Sequence, residues 1–112
     1  MAGFVMRKSQ RIKTFTTARY RGDMIAGEGI IKDISLGGTH ITGNKPVSIG
    51  MALTLQIFVP GEPDLLSIDH ATVKWVKRAE FGVDFNNPQL DVSERITRII
   101  STLVNTQRGS AW

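Results

Sequence analysis

Between Thr14 and Phe85 the chain falls into short strand-like runs, the later ones with apolar residues at every second position, broken by glycine, proline or aspartate, and a helical period sets in only after Pro88. Strands this short, one after another, would each expose an unpaired edge unless the sheet closed on itself. A single late helix also needs an apolar surface on which to bury its stripe. The pattern predicts an all-β body with a C-terminal helix, namely a six-stranded antiparallel β-barrel with one amphipathic α-helix packed on it.

The runs can be followed along the chain. Thr14 to Gly22 carries β-branched and aromatic residues up to a Gly-Asp turn, and Met24 to Ser35 resumes directly after it. Gly38 to Thr42 follows the turn "DISLGG", and Gly43 to Pro46 reads as a loop. Met51 to Val59 alternates Leu53, Leu55 and Ile57 against Thr54, Gln56 and Phe58. After the turn Pro60 to Asp64, the next run sets Ile68, His70, Thr72 and Lys74 on one face. Asp69, Ala71, Val73 and Trp75 fall on the other, a parity that assigns Trp75 to the core. Glu80 to Phe85 closes the series with Phe81, Val83 and Phe85 in step. From about residue 88 to 107, Val92, Ile96, Ile99, Ile100, Leu103 and Val104 share one helical face, with Asn87 or Asp91 as the expected cap and Gly109 just beyond the end.

A chain of 112 residues accommodates one such domain, read as residues 14–108 preceded by a flexible basic arm over 1–13. With 41% hydrophobic and 21% charged residues the composition is that of a soluble globular protein. The absence of cysteine excludes a disulfide framework or a thiolate metal site and suits a reducing compartment. The N-terminal apolar run is too short for a secretory signal, and no segment approaches the roughly 20 apolar residues that cross a bilayer, so the expectation is a cytoplasmic chain with no direct membrane insertion.

The net charge of +4 is modest, but Arg7, Lys8, Arg11, Lys13, Arg19 and Arg21 all precede the first acid, Asp23. That end presents a field that attracts phosphate, although a solvated basic tail would look the same by charge alone. His40, His70, Asp33, Asp69 and Ser35 are residue types a hydrolase uses. They lack a Gly-x-Ser-x-Gly elbow or any spacing that ties a histidine to the serine, and two isolated histidines do not make a metal site. No enzymatic activity, metal or cofactor is expected.

"DISLGG" holds more than a hairpin needs, since Asn-Gly or Asp-Gly would turn the chain. Asp33 and Ser35 could form only an Asx or Ser turn, with Gly37 or Gly38 supplying positive φ. Read with "RKSQR" (Arg7 to Arg11), however, the two segments fit an Arg-x-x-x-Arg motif followed after two strands by an Asp-x-Ser-x-x-Gly motif. Together they resemble the PilZ domain, the bacterial receptor module for cyclic di-GMP. The likeness extends to "ATVKWVKRAEFGVDF" (Ala71 to Phe85), whose Val-x-Trp and Gly-Val-x-Phe pattern is similar to the last barrel strands of that family.

The resemblance implies that Arg7 and Arg11 bind phosphate and guanine, with Lys8 between them, while Asp33, Ser35, Gly37 and Gly38 form the facing turn. It also implies that Trp75, core by parity, can border the ligand, as an aromatic does in some similar proteins. The residue types suit the task. A guanidinium matches a phosphate or the N7/O6 edge of guanine bidentately and can stack on the base. A carboxylate accepts from guanine N1 and N2, a hydroxyl both accepts and donates, and paired glycines let the backbone come close. The implied function is a receptor that couples cyclic di-GMP to an effector protein by ordering the arm. Two alternatives stand beside it: an adaptor of the same fold that binds protein without ligand, and a small barrel for single-stranded nucleic acid. The last should display several exposed aromatics in a row, and the aromatics here lie mostly in apolar parity.

Overall fold

The computed structural model describes residues 12–59 and 61–109; Arg7, Lys8 and Arg11, and most of the expected arm, lie outside the described residues. The elements run β1 (Ile12–Arg21), β2 (Ala26–Ser35), β3 (Gly38–Gly43), β4 (Ala52–Ile57), β5 (Leu66–Lys77), β6 (Glu80–Phe85) and α1 (Leu90–Gly109). All six strands pair antiparallel and close into a barrel in the order β1-β2-β3-β6-β5-β4. Closure is made by β1 against β4, where Ala18 faces Ile57 and Tyr20 faces Leu55. Among the described residues no strand of the barrel lacks a neighbour on either side, as the short strands require.

The inward positions fill a single apolar core in which Ile31, Ile41, Leu55 and Val73 are fully buried. Tyr20 adds its ring edge-on to Phe81, with centroids 5.1 Å apart. Its hydroxyl donates to the Lys45 carbonyl at 2.6 Å and accepts from the Lys45 amide at 2.8 Å, which ties the β3–β4 loop to the barrel. Burial pushes the Tyr20 phenol above its ordinary value, an effect the Lys45 amide offsets in part.

Helix α1 packs on β5, β1 and β2 and buries Ile96, Ile99 and Ile100, with Val92 and Leu103 half-buried beside them. Each fully buried isoleucine contributes about 1.5–3 kcal/mol by area. Of the two residues expected at the start, Asp91 lies in the first turn and its Oδ1 accepts from the Val92 amide at 2.9 Å, whereas Asn87 does not cap. It takes a left-handed φ of 41° that turns the chain out of β6, and the first helical bond runs from Ser93 N–H to the Gln89 carbonyl. Arg95, half-buried on the helix, donates to the carbonyls of Asp64 and Leu65 and pairs with Glu62 at 3.6 Å, latching the β4–β5 connection to α1.

Several ladders slip register: β1 against β2 between Lys13 and Thr16, β2 against β3 between Ile31 and Asp33, and β5 twice. Against β4, the slip opposite Leu53 and Leu55 leaves Ile68 and Ala71 both buried and Asp69 and His70 both exposed. Against β6, the slip falls between Val73 and Trp75. Strict alternation through β5 is therefore corrected, and with it the assignment of Trp75 to the core. Val73 is fully buried, whereas Trp75 is 39% exposed on the outer wall. An extra residue in one strand flips every side chain beyond it to the other face.

Candidate functional site

The quoted turn is built into the barrel rather than hung from it. Ser35 and Gly38 pair across a two-residue turn, and the Ser35 hydroxyl, 1% exposed, donates to the Gly38 carbonyl at 3.2 Å. The Phe85 amide donates to the Gly37 carbonyl at 2.9 Å, joining the turn to the end of β6. Gly38 is extended, not left-handed, and its role is close approach: a Cβ there would stand 2.1 Å from the Val83 carbonyl oxygen. The Asp33 carbonyl accepts from the Thr39 hydroxyl at 2.6 Å, which fixes the backbone of that residue.

With the turn fixed, register carries the rest. Asp33 on β2 pairs with His40 on β3, His40 with Gly82 on β6, and Gly82 with Trp75 on β5. The four form one row across the outer wall, spanning three inter-strand steps or about 14 Å. Lys13 of β1 pairs with Asp33 at the other end of the row. The slips in β1, β2 and β5 all border this row, as bulges often do where they re-aim side chains.

The side chains of the row touch one another. The His40 Nε2–H donates to Glu80 Oε1 at 2.7 Å, and Nδ1 lies 3.5 Å from Asp33 Oδ2. The His40 ring meets Trp75 edge-on, with centroids 4.9 Å apart at 70°. The indole lies against Gly82, where a Cβ would be 2.1 Å from Nε1, so only glycine leaves room for it. No group of three or more His, Asp or Glu side chains among the described residues is placed to hold a metal ion.

Of the expected site residues, the fold brings Asp33 and Trp75 onto one outer face and sets Gly37 and Gly38 in the turn beside it. Ser35 is inside that turn, and Arg7, Lys8 and Arg11 fall outside the described residues. Sequence reasoning missed His40, Glu80 and Gly82. A signal for two of them was present: counting outward from the tight turns pairs Asp33 with His40 and Trp75 with Gly82. A groove of about 480 Å³ lies further along β1 among Arg19, Arg21, Glu28, Asn44, Thr54 and Gln56 and shares no residue with the row.

The sequence matches the PilZ domain over residues 6–102, most of the chain. The chain belongs to the PilZ domain family. A search of curated proteins by sequence finds no match. Among solved structures, this PilZ domain is similar to YcgR of Escherichia coli, a structure in complex with c-di-GMP, with a TM-score of 0.79 and 19% identity over 94% of this chain and 49% of that one. It is similar to the Bacillus subtilis inhibitor of motility MotI/DgrA, with a TM-score of 0.70 and 14% identity over 96% of this chain and 55% of that one. It is also similar to the PilZ domain of CeSA from a cellulose-synthesizing bacterium, with a TM-score of 0.69 and 17% identity over 85% of this chain and 98% of that one. The chain thus spans about half the length of YcgR and MotI and nearly all of the isolated CeSA domain. At these identities the structural likeness concerns the fold. No helix among the described residues is long and apolar enough to cross a membrane.

Proposed function

We propose that this PilZ domain is a cyclic di-GMP receptor in which the Asp33–Trp75 face takes guanine and Arg7 and Arg11, with Lys8, take phosphate and the second base edge. The observation that carries this is the register at the start of β1. Ile12 pairs with Ile34 and Lys13 with Asp33, so the described start of β1, which the Arg7–Arg11 motif precedes in sequence, runs alongside the second motif. The described part of the row supplies acceptors and an aromatic plane, and the arginines supply the matching cations. That YcgR was solved with c-di-GMP supports the ligand class.

On this account Asp33 accepts from guanine N1 and N2, Trp75 offers a stacking plane, and Ser35, Gly37 and Gly38 hold the turn in shape. Ligand joins the arm to the barrel wall, and the combined surface is what an effector protein reads. The setting is the cytoplasm, where a second messenger is found, and the chain carries out no catalysis. A strand-binding barrel is less well supported: among the described side chains the outward aromatics Trp75 and Phe58 are not in one row, and the Arg19 guanidinium lies over the Phe58 ring at 5.6 Å. The test is amide exchange with and without saturating cyclic di-GMP. Protection should rise through residues 1–11 and along the Asp33–Trp75 row in the wild type and not in Asp33→Ala. Unchanged exchange in the wild type would refute the clamp.

A further inference from the structure

The His40 side chain meets functional groups on both sides of it in the row. A carboxylate can only accept, so the 2.7 Å contact with Glu80 places a hydrogen on Nε2 and fixes the plane of the ring. The same plane brings Nδ1 within 3.5 Å of Asp33 Oδ2 and the ring edge against the Trp75 indole. The ring is mostly enclosed, with 23% of its side chain exposed, and three strands contribute its neighbours.

This matters because the terminal torsion of aspartate is soft, while a carboxylate that reads guanine N1 and N2 must lie in the plane of the base. The indole must also stand at a set distance from that carboxylate for one ligand to use both. We propose that His40 is the positioning residue of this face, an inference that deepens the cyclic di-GMP reading and rests on it. With Nε2–H held by Glu80, the doubly protonated ring donates from Nδ1 toward the Asp33 carboxylate 3.5 Å away and braces the Trp75 ring, so carboxylate and stacking plane keep one separation before ligand arrives.

The experiment is calorimetric titration of the full chain with cyclic di-GMP for wild type, His40→Leu, His40→Asn and Glu80→Gln, each paired with a thermal melt. Asparagine keeps an N–H donor near the place of Nδ1, whereas leucine fills the volume without one. His40→Leu should bind about tenfold more weakly at a similar melting temperature, and His40→Asn should recover most of the loss. Glu80→Gln, which keeps the ring but weakens its anchor, should fall between. A purely space-filling role moves none of these differences: leucine binding like wild type, or asparagine and leucine losing equally, overturns the proposal. If His40→Leu melts too early to titrate, Glu80→Gln decides, with a loss supporting the role and wild-type affinity overturning it. A wild type that does not bind cyclic di-GMP overturns the receptor reading itself, whereas a binding wild type with indifferent His40 variants overturns only the positioning role.

Discussion

The indole of Trp75 lies across Gly82 so closely that a Cβ on Gly82 would stand 2.1 Å from Nε1. Gly82→Ala must therefore push the indole off the wall, at a stability cost of about 1–3 kcal/mol for the overpacking. Base–aromatic stacking contributes about 1–3 kcal/mol, so Gly82→Ala and Trp75→Ala should both weaken cyclic di-GMP binding by about tenfold or more. Near-ultraviolet circular dichroism and a ligand titration check the two parts. A Gly82→Ala chain with wild-type affinity would show that the indole does not serve the ligand.

How far this face could be read in the sequence depends on the strand. β6 was legible outright, because Phe81, Val83 and Phe85 alternate without interruption and are all buried. The helix stripe was legible for the same reason, as Ile96, Ile99 and Ile100 show. Trp75 was not, because alternation counted from Val73 runs through a slip that no local residue preference announces. Counted back from the Lys77–Glu80 hairpin instead, Trp75 falls outward, opposite Gly82. Asp33 was legible through its motif, but the company it keeps on β6 and β5 depends on long-range pairing of β3 with β6, which a strand-by-strand reading does not reach.

Scaffold and site should separate in mutants. Ile100→Ala and Ile99→Ala remove buried helix contacts and should each cost about 2–5 kcal/mol. Arg7→Ala should leave the melting point nearly unchanged while weakening ligand binding. Equal thermal losses in the two kinds of variant would make Arg7 structural.

Tyr20 is the only tyrosine, so phenolate absorbance reports it alone. Burial raises its folded value above the ordinary 10.0, which means the folded state holds the proton more tightly than the unfolded chain. The stability linked to it is complete below the unfolded value and lost as pH rises through the folded one. An alkaline series should therefore show wild-type stability falling above about pH 10, with the native phenolate appearing later than in urea-unfolded chain. Tyr20→Phe should be less stable at neutral pH, by about 1–3 kcal/mol for the unpaired Lys45 groups, and should lose this phenol-linked part of the alkaline decline.

Arg11 separates recognition from mere attraction. A charged hydrogen bond contributes roughly 1.5–3 kcal/mol, so Arg11→Ala should weaken cyclic di-GMP by one to two orders of magnitude. Arg11→Lys should restore little, since an ammonium keeps the charge but not the planar fork or the stacking face. Dissociation constants for the three chains at one salt concentration check this, and a lysine variant equal to wild type would reduce the site to a phosphate patch.

The direct measurement of the central claim is calorimetric titration of the wild-type chain with cyclic di-GMP at low and high salt, run against GTP and a short oligonucleotide. Saturable binding near micromolar, about 8 kcal/mol, is predicted, with only modest weakening by salt and no comparable binding of GTP or oligonucleotide. Failure to saturate with cyclic di-GMP, or oligonucleotide binding of equal strength that high salt abolishes, would contradict it.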